Sequence, residues 1–80
     1  GKPTSVQGIF EYDLPANGHV RVGIYDSSGK LVQLLVDDIC DGKGSGRLFY
    51  TFRTKDLPAG KYYTRLMLDG MLTKESPIEF

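Results

Sequence analysis

From Ile9 onward apolar and polar positions take turns: Phe10, Tyr12 and Leu14 fall on one side of an extended chain, Glu11 and Asp13 on the other. A period of two belongs to a half-buried β-strand. Pro15 ends the run, and Ala16-Asn17-Gly18 supplies a backbone able to reverse. The next run, His19 to Tyr25, sends Val20, Val22 and Ile24 inward and Arg21 and Gly23 outward. The first two strands are therefore predicted to form an antiparallel hairpin.

Asp26-Ser27-Ser28-Gly29 is a turn signal, because Asp and Ser side chains bond nearby backbone and Gly accepts positive φ. Lys30 to Val36 then carries Leu31, Val32, Leu34, Leu35 and Val36. Such a run also fits a helical turn or two, but its short length between turn signals favours a strand buried on both faces. The stretch from Asp37 to Gly46, rich in Gly, Ser and Asp, reads as a loop, and alternation resumes from Arg47 to Arg53 through Leu48, Tyr50 and Phe52.

Asp56-Leu57-Pro58-Ala59-Gly60 makes a tight connection into Lys61 to Leu68, where Tyr62, Thr64, Leu66 and Leu68 share one face and Tyr63, Arg65 and Met67 the other. Asp69-Gly70 suits a type I′ hairpin turn, whose two central residues need positive φ. A last strand runs from Met71 towards Phe80, and Pro77, lacking a ladder donor, places its tail at an edge or bulge. Six or seven short strands without an amphipathic helix predict an all-β antiparallel sandwich, with an open barrel as the second architecture.

Composition narrows the function classes. Eighty residues allow one core and one domain, spanning residues 1–80. No apolar run approaches the roughly 20 residues of a membrane helix, so no membrane insertion is expected. Ten Lys plus Arg balance ten Asp plus Glu and are scattered, which leaves no electrostatic footprint for nucleic acid. The lone Cys40 excludes an internal disulfide, and with His19 as the one histidine the chain cannot assemble a four-ligand zinc site. No cofactor is expected.

Gly42-Lys43-Gly44-Ser45-Gly46 invites a phosphate-loop reading, but such loops lead straight into a helix, and Walker spacing places Ser or Thr after the Lys. Neither condition is met, so the stretch reads as a flexible link between strands, with a calcium site from Asp37, Asp38 and Asp41 as the alternative. Nothing in the sequence brings His19 and Cys40 together as a catalytic pair, and the adjacent Asp37 and Asp38 point opposite ways on an extended chain. The domain is not expected to be an enzyme. Among five tyrosines and four phenylalanines, Tyr12, Tyr50 and Tyr62 align with apolar neighbours and read as core or core margin. Tyr63, on the same face as Arg65, is the better candidate for a binding surface.

The order of motifs carries further information. Phe10-x-Tyr12-x-Leu14-Pro15, then Gly18-x-Val20-x-Val22-x-Ile24-Tyr25-Asp26-x-x-Gly29-x-Leu31-Val32-x-x-Leu35, then Leu57-Pro58-Ala59-Gly60-x-Tyr62 and Leu66 resembles the C-terminal sorting domains of type IX secretion cargo. It is equally similar to the immunoglobulin-like domain of the flagellar hook-capping protein. The resemblance spans roughly Ser5 to Lys74. It implies a seven-stranded immunoglobulin-like sandwich belonging to a larger exported bacterial protein. That protein would pass through the periplasm to the exterior or the cell surface after recognition by the outer-membrane secretion machinery.

Asp26, Gly29, Leu31, Pro58, Gly60 and Tyr62 match the family's scaffold motif. The chain differs at its ends, with Lys2-Pro3-Thr4-Ser5 where the family has an Asn-Pro segment and Ser76-Pro77-Ile78-Glu79-Phe80 where it closes on an aliphatic strand and lysine. Gly1 is expected to be either a cloning scar or a cut from a longer chain. The leading expectation is a non-catalytic sorting module that docks through an exposed edge in the hairpin from Lys61 to Phe80. The alternatives are a structural or carbohydrate-binding accessory domain of a secreted enzyme, presenting Tyr63 to a glycan, and a hook-cap-like assembly domain.

Overall fold

The computed structural model describes residues 4–80; Gly1, Lys2 and Pro3, with the scar or cut expected at Gly1 and most of the opening segment, lie outside them. The described residues form six strands and no helix: β1 (Ser5–Leu14), β2 (Gly18–Asp26), β3 (Leu31–Cys40), β4 (Gly44–Arg53), β5 (Lys61–Leu68) and β6 (Met71–Glu79). β1 pairs with β4 in one sheet, and the other sheet runs β3-β2-β5-β6, with every pairing antiparallel. In immunoglobulin lettering this is B–E facing C′–C–F–G, without an A or a D strand among the described residues. The all-β sandwich is therefore the observed fold, one strand short of the seven that the resemblance implies.

The expected hairpin between the first two strands is not formed. β1 pairs with β4, and β2 lies between β3 and β5. A turn signal says that the chain reverses but not whether it stays in the same sheet, and residues 15–17 carry it across. Phe10 consequently meets Val20 and Val22 face to face in one core cluster with Leu66. Ile24, Phe52 and Tyr62 form a second cluster, and Leu35 and Tyr50 touch both.

Two further expectations change. The stretch from Asp37 to Gly46 is mostly strand, since β3 continues to Cys40 and β4 starts at Gly44, leaving only residues 41–43 between the sheets. Its aspartates and glycines suit pairing here: Asp37 sits opposite Arg21, and Gly46 lies beneath the Tyr12 ring. β3 is a strand as expected, but an edge strand rather than one buried on both faces. Leu31 and Leu34 remain 37 % and 45 % exposed, because a continuous apolar run does not distinguish a covered face from an open one.

The final hairpin follows the sequence closely. Asp69 and Gly70 both have positive φ, 50° and 81°, between the paired Leu68 and Met71. The Asp69 carboxylate accepts the His19 amide at 2.9 Å while the Asp69 amide donates to the His19 carbonyl, tying this turn to the start of β2. β6 is an edge strand, and Pro77 lies on it.

Candidate functional site

Two motifs far apart in sequence meet at one end of the sandwich. In the first, the Asp26 carboxylate turns back over the β2–β3 connection, accepting the Ser28 amide at 2.9 Å, the Ser28 hydroxyl at 2.6 Å and the Lys30 amide at 3.0 Å. Gly29, at φ 89°, completes the reversal and donates to the Asp26 carbonyl at 3.0 Å. In the second, the Tyr62 ring is buried at the start of β5, and its hydroxyl donates to the Pro58 carbonyl at 2.6 Å. A tyrosine near the start of strand F bonding back to the preceding corner is the tyrosine corner of immunoglobulin-like domains. Gly60 exchanges backbone bonds with Phe80, whose ring stacks on Tyr62 at 5.3 Å.

Asp26, Ser28, Lys30, Pro58, Gly60 and Tyr62 line one shallow depression at this end. The scaffold residue Leu31 points elsewhere, laying its side chain over Gly23 on the outer face of the four-stranded sheet. The hydrogen bonds from the Ser28 hydroxyl and then the Lys30 amide hold the Asp26 carboxyl below its ordinary range. A depressed folded value means the ionised carboxylate supports the fold above about pH 4 and that this support is lost as the pH falls further. The melting temperature of Asp26→Asn is therefore expected to trail wild type at pH 6 and to converge on it towards pH 2. A gap that stays constant or widens on acidification would show that the charge plays no such role.

The predicted binding pair lies on the outer face of the four-stranded sheet. Arg65 places its guanidinium 5.1 Å from the Tyr25 ring centre and 5.6 Å from that of Tyr63, and its Nε donates to Glu75 at 2.6 Å. Tyr25 and Tyr63 are cross-strand partners, a pairing visible only once β2 is known to neighbour β5. Tyr25 and Glu75 were thus beyond sequence reasoning. The guanidinium occupies ring surface on which a sugar would stack, so the platform offered to a glycan is small.

Comparison with known proteins found no matching family model, no matching curated protein and no matching solved structure.

The remaining polar candidates are engaged locally. Asp37 contacts the His19 ring through Nε2 and lies 3.8 Å from the Arg21 Nε, while the Asp38 carboxylate accepts the Ile39 amide at 2.8 Å. Asp37, Asp38 and Asp41 do not converge: among the described residues no three His, Cys, Asp or Glu side chains form a group able to hold a metal ion. Cys40 packs against the core cluster, whereas His19 meets Asp37 on the other side of the same sheet. The glycine-rich stretch that invited a phosphate reading passes into β4, so no helix N-terminus meets it.

Proposed function

We propose that this domain is a non-catalytic immunoglobulin-like module that works by protein contact, and that it serves as the C-terminal sorting module of an exported bacterial protein read by the type IX secretion machinery. The observation carrying this reading is that the two motifs behind the resemblance are built into one end, as the Asp26–Gly29 turn and the Tyr62 corner. Their roles there are structural, which leaves recognition to the outside of the sheets. β6 is the edge strand of the last hairpin and so offers backbone groups to a partner, while β5 lies inside the sheet.

A reporter fused to residues 1–80 in a host with a working type IX system tests the proposal. Export of the reporter to the medium or cell surface is expected. Retention in the periplasm, with the domain folded, would overturn it.

A further inference from the structure

The two long sides of the sandwich are closed differently. On the β4 side, the Gln33 amide reaches across from β3, donating to the Thr51 carbonyl and accepting the Arg53 amide, both at 2.9 Å. On the β1 side no strand of the described residues lies beyond β1. The phase of its ladder follows from the bond of the Thr54 amide to the Thr4 carbonyl at 2.9 Å. Antiparallel alternation then directs the N–H and C=O groups of Gln7, Ile9, Glu11 and Asp13 away from β4. The Lys74 ammonium bonds the Glu11 carbonyl, as that phase requires.

The inner face of β6 is correspondingly uncovered along its first half, whereas Ile78 packs on the second core cluster. Leu66 is fully buried on β5, yet its ladder partner Lys74 is exposed; Leu68 packs on the core, yet its partner Met71 is 74 % exposed. Cover thus stops between β5 and β6, at the place where a strand beside β1 would lie. Lys74 rests in this gap with its ammonium 5.6 Å from the Phe10 ring centre, and among the described residues it forms no ion pair.

We propose that this gap is a strand-binding slot that accepts an extended acidic segment of a partner protein, which draws the Lys74 ammonium off the Glu11 carbonyl, pairs with the outer edge of β1 and lies over β6. The segment carries a carboxylate opposite Lys74, a small residue opposite Ser76, and apolar residues over Met71 and Ile78. Backbone bonds to β1 supply affinity and Lys74 supplies selection. A second copy cannot fill the slot with its own β1, because each copy's β6 underlies the position and the two would collide at the strand spacing of about 4.8 Å. The slot is distinct from the outer edge of β6, and it stands whether or not the domain is a sorting signal.

The test is an isotope-labelled domain titrated with the peptide Thr-Val-Thr-Glu-Thr-Ser-Thr-Val-Thr and with the same residues in reverse order, each also made with Lys in place of Glu. One order is expected to shift the amides of Gln7, Ile9, Glu11 and Asp13 and to slow their exchange, and the Lys peptide to bind about fivefold more weakly. The exposed Lys74→Glu variant, folded by its amide spectrum, should reverse that preference. Equal binding of Glu and Lys peptides, no response at the β1 amides, or shifts confined to the outer edge of β6 would each overturn the proposal.

Discussion

Phe52→Ala is expected to lose about 3–5 kcal/mol of stability, the range for removing a buried aromatic ring. Phe52 is fully buried, and it is the β4 side chain at the centre of the second core cluster, with Tyr50 of the same strand packed against it. Its ring meets Tyr62 edge-on at 5.2 Å and Phe80 at 5.8 Å, so truncation also strips both partners of an aromatic contact. A domain of 80 residues has roughly 4–12 kcal/mol in total, at about 0.05–0.15 kcal/mol per residue. The variant should therefore lie near the limit of folding at 25 °C. Phe52→Leu, which keeps most of the volume, should lose less than about 1.5 kcal/mol. Urea midpoints for the pair decide the matter: an alanine variant within about 1 kcal/mol of wild type would mean that the two sheets are not held together through this ring.

The residues that made the fold legible are those whose meaning is local. Alternation placed Val20, Val22 and Ile24 inside, and Asp69-Gly70 specified a turn that needs no distant partner. Pairing was less legible, because any amphipathic strand can neighbour any other. β1 and β2 illustrate this: their alternation is as clear as their adjacency in sequence, yet they face each other across the core. The same limit governs the candidate surfaces. Tyr63 and Arg65 could be put on one face from the period of β5 alone, whereas Tyr25 and Glu75 join them only through the register of strands on either side.

Lys74 and Gln33 show a second limit. Both are polar residues within strands, and nothing in their local pattern says that each faces inward at a margin of the sandwich. Gln33 is 8 % exposed and sits amid an apolar run. Its role depends on β4 lying opposite β3 in the other layer.

Gln33→Met is expected to destabilise the domain by about 1–2 kcal/mol although it preserves volume, since two part-buried bonds are lost and the Thr51 carbonyl and Arg53 amide are left without this partner. Exchange of the Arg53 amide should accelerate selectively, while amides of β4 that face β1 keep their protection. Gln33→Glu separates the two bonds. One carboxylate oxygen can still accept the Arg53 amide, but the other meets the Thr51 carbonyl, so a carboxyl group here binds its proton more tightly folded than unfolded. Its folded pKa is then raised, so the variant should be close to wild type below about pH 4, where the unfolded chain also keeps the proton, and lose stability as the pH climbs from there through the higher folded value. Gln33→Glu and Asp26→Asn are thus both expected to converge on wild type in acid, the first because the carboxyl group it gains is then neutral, the second because the carboxylate it lacks is then protonated in wild type as well. A Gln33→Met variant as stable as wild type, with the Arg53 amide still protected, would instead mean that β4 needs no bridge on this side and that the sandwich is open along both of its long margins.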